Sequence, residues 1–277
     1  AKEIIMSILT ITRLELLIAR RNMWVATAVL LMGLFATVLT LAGGAPTGVL
    51  GVDPLTVAVT SITTLSVYLI PLIGLLLSFD AIAGEIERGT LALGLCYPVS
   101  RAEILIGKFL AHISVLAFAV AVGLGLTAGL TVWQHGGEGL NFAPLFRLFV
   151  TSLALGAAFL GIGYTVSSLV RQPGVASGVV IVIWLVCIVL YDLGLLGALV
   201  ADDGGVFTKT IFPWLLVANP ADAFRLLNMP TVSVSDLASG LGAAGAVSGT
   251  LGQMTSLLAW PLLAITGAWL ALRRVEP

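Results

Sequence analysis

Six apolar runs, at residues 23–42, 57–79, 109–133, 145–170, 175–199 and 253–272, are each long enough to cross a hydrocarbon core of about 30 Å as a helix. Charge is nearly absent around them: between residues 22 and 79 the chain offers only Asp53, and between 148 and 191 only Arg171. With 59% hydrophobic and 10% charged residues the composition lies far from the roughly 25% charged average of soluble domains. These runs predict an all-α integral membrane protein, one transmembrane domain over residues 1–277 with six membrane-spanning helices. The first run is too long, and lacks the small-residue cleavage pattern, for a removable signal peptide.

A net charge of −1 supplies no basic field to neutralise phosphates, so nucleic acid is excluded as a partner. Lysine and arginine near span ends stay on the cytoplasmic side. Lys2, Arg13, Arg20, Arg21, Arg88, Arg101, Lys108, Arg171, Arg273 and Arg274 fall on one side, against Arg147, Lys209 and Arg225 near or on the other. Both termini are therefore expected inside, with the loops at 43–56, 134–144 and 200–252 outside. Cys96 and Cys187 fall in an inner loop and mid-span, so no disulfide is expected.

Ahead of the first run, Ile4, Ile5, Ile8, Leu9, Leu16 and Leu17 recur at helical intervals among Lys2, Ser7, Arg13 and Arg20. Residues 2–21 read as an amphipathic helix on the inner membrane surface, in contact with lipid headgroups. An extension of the first span is the alternative, made costly by Glu15, Arg20 and Arg21.

The densest charged segment, residues 79–110, joins the second and third runs. Asp80, Glu85 and Glu87 suit the first turn of a helix, Thr90 to Leu95 adds an apolar face, and Tyr97-Pro98 disfavours further helix. Ser100 and Glu103 fit a capping box that opens the next helix. A short helix held rigidly between two spans can transmit force from a partner.

These residues, Gly84-Glu85-Ile86-Glu87-Arg88-Gly89-Thr90-Leu91 followed by Tyr97-Pro98-Val99-Ser100-Arg101 and Gly107-Lys108, resemble the coupling-helix pattern of ABC-2 type permeases. The resemblance covers nearly the whole chain: six spans, an interfacial helix before the first, and a large outer segment with short helices before the last. It implies a homodimer in the bacterial inner membrane and a separate ABC ATPase chain, which carries the ATP and Mg. Glu85, Glu87, Arg88, Gly89, Thr90, Leu91, Tyr97, Pro98 and Arg101, within a coupling helix at 84–98, are then the residues expected to couple to that ATPase. Phe79-Asp80 to Glu85, the Tyr-Pro pair and Asn219-Pro220-Ala221-Asp222 are most similar to the permeases that serve maturation of nitrous oxide reductase. That implies a periplasmic β-helical partner and a role in copper-site assembly. Gly94 departs from the pattern and is expected to shorten or bend the coupling helix.

Other chemistry finds no support. Gly107-Lys108 is not a phosphate loop, because Ala102 and Phe109 stand where Gly and Ser or Thr are required. No cofactor is therefore assigned to this chain. Gly123-Leu124-Gly125 lies inside an apolar run with no preceding strand, and small residues for helix packing explain it, as they do Gly125/Gly129 and Gly174/Gly178. His112 and His135 are separated by about 34 Å at 1.5 Å per helical residue and cannot share a metal; each reads as an interfacial polar residue. The methionines are scattered and form no thioether cluster; Met229 and Met254 could meet on the outer side, but a metal role is not expected of them. Ionisable groups at membrane depth are too few for a proton relay. Asp192, near the outer end of the fifth run, reads as a helix cap or a headgroup contact.

In the outer segment, Asn219 as cap, Pro220 at the first position and Asp222 in the first turn predict a helix through Asn228, stopped before Pro230. Residues 232–252, rich in Gly, Ala and Ser, are expected to return partly into the membrane rim. Phe212, Trp214, Asn219, Asp222, Phe224 and Arg225 are the candidate docking residues for an outer partner. Pro71 and Pro261 each remove an N–H and can kink their spans. Two alternatives stand beside a force-transmitting permease: an exporter of a small lipophilic or sulfur-containing substrate past Thr63, Thr64, Ser66 and Tyr68, and a membrane enzyme or cytochrome anchor.

Overall fold

The computed structural model describes residues 2–42, 54–136, 140–202, 205–228 and 241–275, and among them every regular element is a helix. Asp53, Met229, Pro230 and the start of the 232–252 stretch lie outside the described residues. Helix α1 (Lys2–Ala19) is separate from α2 (Met23–Ala42), because the chain turns at residues 20–22 and Asn22 Oδ1 accepts from the Trp24 N–H at 2.8 Å. The alternative of one continuous helix is thereby excluded. Then follow α3 (Pro54–Ser78), two short helices α4 (Ala83–Glu87) and α5 (Thr90–Leu95), and the long α6 (Arg101–His135) and α7 (Ala143–Leu169). The fifth run is α8 (Pro173–Trp184), a π-turn over Leu185–Leu190, and α9 (Tyr191–Asp202). A second π-turn, Phe207–Ile211, leads into α10 (Phe212–Ala218), then α11 (Pro220–Asn228) and α12 (Leu241–Arg273).

Six of these helical stretches are long and apolar enough to cross a membrane. The sixth starts where α12 is interrupted: Gly249 has φ 61° and ψ 163°, a left-handed φ that favours glycine, and the apolar span runs from there to Arg273. Both Pro71 and Pro261 lie inside helices that continue past them.

Helix α7 is the hub, packing against α3, α6 and α12. Each approach is made at a glycine, because lipid supplies no hydrophobic drive between helices and close packing must hold them. A Cβ on Gly156 would stand 1.9 Å from Leu116 of α6, one on Gly163 2.0 Å from Ser78 Oγ of α3, and one on Gly161 2.7 Å from Ala264 of α12. Tyr164 and Phe159, on the same helix, are fully buried. The pairs Gly125/Gly129 and Gly174/Gly178, expected at helix contacts, instead face open space within the chain. Within the chain the close contacts fall instead where the three neighbours cross α7, and at Gly123, where a Cβ would stand 3.3 Å from the Met32 carbonyl oxygen of α2.

The fifth span is the most exposed of the six. Trp184 Nε1 donates to the Tyr68 carbonyl at 3.0 Å, and Tyr191 OH donates to the Leu215 carbonyl at 2.6 Å. Inside the π-turn, where the regular ladder is disturbed, the Cys187 carbonyl accepts from Asn219 Nδ2 at 2.8 Å.

Replacing Gly161 by Leu should cost about 1–3 kcal/mol through overpacking against α12. Gly125→Leu, with nothing to strike, should leave stability unchanged. Thermal midpoints of the two variants in one detergent compare them directly; equal midpoints would remove α7 from its central place.

Candidate functional site

The end of the bundle that holds α1, α4, α5, the start of α6 and the finish of α12 gathers the charged segment. Ser100 opens α6 by accepting from the Glu103 N–H at 3.2 Å. Only half of the expected capping box forms, because the Glu103 carboxylate accepts from Ser7 of α1 at 2.8 Å. Helix α1 lies tightly on α6 here: Thr12 donates to the Gly107 carbonyl at 3.0 Å, and a Cβ on Gly107 would come 2.7 Å from Ile11. Ser7, Ile8, Ile11, Thr12, Glu15 and Ala19 face inward, whereas Ile4, Ile5, Met6, Leu9, Leu14, Leu17 and Ile18 are exposed. The outer face of α1 is thus its apolar one.

Lys108 is buried between two carboxylates. Its ammonium bonds to Glu15 of α1 and, at 2.8 Å, to Glu85 of α4, joining three helices at one point. One turn further along the same face of α6, His112 Nδ1 lies 2.6 Å from Tyr164 OH of α7. His112 is buried, not interfacial, since α6 runs unbroken from Arg101 and carries residue 112 inside the bundle.

The start of α4 is fixed from α7: Ser167 Oγ accepts both the Ile82 and Ala83 N–H groups at 2.9 Å, satisfying donors a helix start leaves free. Arg101 caps the far end of α12, donating to the carbonyls of Leu272, Arg273 and Val275 at 2.8, 3.1 and 2.6 Å. A cation is favourable there, where carbonyls and the negative end of the helix dipole meet. Leu91 inserts from α5 into a cluster with Ile82, Leu105, Tyr164, Ala268 and Leu272.

The segment breaks at Gly89, not at Gly94. Gly89 takes φ 70°, separating α4 from α5, while Gly94 stays helical within α5. The segment expected to form one coupling helix is therefore two short helices meeting at a corner. Glu87, Arg88, Gly89, Thr90, Leu93, Cys96, Tyr97 and Pro98 are exposed on it, with Leu93 67% and Tyr97 71% accessible. Arg88 leans toward Asp80 at 3.7 Å with both side chains largely in the open. Of the residues expected to couple to a partner, Glu85, Leu91 and Arg101 instead face their own fold. Lys108 and Glu15 did not figure among them. The helical spacing of Lys108 and His112, four residues apart on α6, was the signal that both share one inward face.

At the opposite end, Asn219 Oδ1 accepts the Ala221 N–H at 3.0 Å and starts α11 at Pro220. Arg225 bridges Asp222, at 2.9 Å, and Asp192 of α9, also at 2.9 Å. Asp192 is thus an ion-pair partner, not a cap or headgroup contact. Among the outer candidates, Phe212, Asn219, Asp222 and Phe224 are buried, Arg225 is half-buried, and Trp214 is exposed.

Removing the ammonium with Lys108→Met should cost about 3–5 kcal/mol, because it leaves two carboxylates together in a largely dry site. Adding Glu15→Gln to that variant should recover part of the loss. Denaturant unfolding of the single and double variants in micelles measures both; no recovery would mean that the charges act separately.

The ABC-2 family transporter protein profile matches residues 9–275. The chain is 38% identical over 238 residues to the probable ABC transporter permease protein NosY of Stutzerimonas stutzeri, covering 85% of this chain and 86% of that protein. It is also 38% identical over 223 residues to the probable ABC transporter permease protein NosY of Pseudomonas aeruginosa, covering 79% and 80% of the two chains. The chain belongs to the ABC-2 family of ABC transporters, as a multi-pass permease similar to NosY.

Proposed function

We propose that the corner between α4 and α5 is the docking element for a separate ABC ATPase chain, and that its anchorage turns nucleotide-driven movement into movement of the spans. The observation that carries this reading is the pairing of an exposed tip with buried fixings. Glu87, Arg88, Thr90, Leu93 and Tyr97 offer both charge and apolar area to a partner. Behind them Glu85, Ser167, Leu91 and Arg101 hold the segment to α6, α7 and α12. A push on the tip is then delivered to several helices together.

In this reading the charged end faces the cytoplasm of a bacterium, with both termini inside, as the bias of Lys and Arg requires. The exposed apolar face of α1 rests in the membrane interface, where Ile4, Ile5, Leu9 and Leu17 leave water. Two copies pair, and ATP and Mg reside on the ATPase subunits. The outward response is carried by α10 and α11, with Trp214 the residue left accessible to an outer, β-helical partner and the buried Phe212, Asn219, Asp222 and Phe224 framing it. The process served is copper-site assembly of nitrous oxide reductase, in line with the similarity to NosY. The permease acts as a force transmitter with no catalysis of its own.

Glu87→Ala, Arg88→Ala and Leu93→Asp should each weaken capture of the ATPase chain by about tenfold or more, the effect of losing an interface anchor worth over 1 kcal/mol. Co-purification and stimulated ATP hydrolysis report it, with membrane insertion unaltered. Unchanged assembly together with unchanged coupled hydrolysis would sink the assignment.

A further inference from the structure

The outer cluster around Arg225 carries more negative charge than it can balance. One guanidinium serves two carboxylates, Nη1 to Asp222 Oδ1 and Nη2 to Asp192 Oδ2, so the two acids are drawn side by side with a net charge of −1. Asp222 is only 1% exposed, and its Oδ2 has no hydrogen-bond partner among the described residues. Nearby donors are already engaged: Tyr191 OH on the Leu215 carbonyl and Asn219 Nδ2 on the Cys187 carbonyl. An uncompensated buried charge costs several kcal/mol, and two adjacent carboxylates relieve that cost by sharing a proton.

We propose that Asp222 holds a proton on its unpartnered Oδ2, making this triad a proton-binding site that ties α11 to the fifth span. A proton on Asp222 Oδ2 converts that oxygen from an acceptor with no donor into a donor toward Asp192. It also brings the cluster to neutrality: one carboxylate, one guanidinium, one carboxylic acid.

Few other groups could compete for the role. Helix α3 contributes Tyr68, the π-turn Cys187 and α9 Tyr191 beside Asp192; α10 has no titratable residue, and neither has α12 until Arg273 at the other end. On α7 the charged residue at this end is Arg147, which is exposed. Burial, and then the neighbouring Asp192, push Asp222 from 3.8 up to about 7 against the opposing pull of Arg225. Because the folded value lies above the ordinary one, the folded protein holds the extra proton between those values. Its stability therefore falls as pH rises through that window and levels off above it.

Infrared titration of the full chain in lipid nanodiscs, from about pH 5 to 9, reads the protonated carboxyl band directly. One carboxyl per chain is expected to lose its band around neutrality; Asp222→Asn should abolish this band, and Glu87→Gln should leave it. If Asp222→Asn does not fold, Asp192→Asn serves: removing the like charge should move the midpoint down by about one pH unit or more. A midpoint that does not move in Asp192→Asn, a band that survives Asp222→Asn, or no titrating band overturns the proposal. So does loss of the band at fixed acidic pH on adding Zn2+, which would mark the triad as a cation site.

Discussion

The charged end depends on the ammonium of Lys108. It lies in the interior of a helix that continues across the membrane, and only Glu15 and Glu85 make its burial tolerable. Meeting both acids forces α1 to lie along the first turns of α6 and holds α4 against them. The rest of that end follows: Gly107 allows α1 to approach, Ser167 receives the start of α4, and Leu91 fills the space beneath α5. A tip with this foundation cannot move alone.

The opposite end repeats the device with its signs arranged alike, one cation between two acids on different helices. Arg225 joins α11 to α9 much as Lys108 joins α1 to α4. Between the two ends the spans are held by glycine contacts along α7 and by a few hydroxyl bonds across helices, as Thr165 makes to the Ala264 carbonyl, while other hydroxyls bond within their own helices, as Thr63 does to the Val59 carbonyl. Polar fixings at the ends and plain packing between them suit a bundle whose helices tilt as units. The fifth span is the exception, meeting the remainder through Trp184, Asn219 and Tyr191 while most of its surface is left open.

Much of the fold was legible because membrane spans are read by length and apolarity, and each of the six apolar runs matches one of the observed spans, overrunning it by one residue at most. The start of α6 at Ser100 and of α11 at Asn219 followed from local capping chemistry, which needs no tertiary knowledge. What stayed hidden was set by distant partners. Gly89, not Gly94, became the corner because Leu91 and Ser167 pin the two sides separately. The pairing of Asp192 with Arg225 spans 33 positions and has no periodic signal. Aromatic residues of the outer segment look the same in sequence whether they await a partner or, like Phe224, fill their own core. Exposure separated the expected coupling residues into a tip and its mounting.

Cys96 offers the most direct test of the central claim that this tip faces the cytoplasm and is covered by an ATPase chain. It is exposed at the end of α5, while the other cysteine, Cys187, lies within the fifth span. A membrane-impermeant maleimide should label Cys96 in inside-out vesicles, fail to label it in right-side-out vesicles, and be blocked when the ATPase subunit is bound. Labelling from the outside, or labelling that the bound ATPase leaves unchanged, would contradict the account.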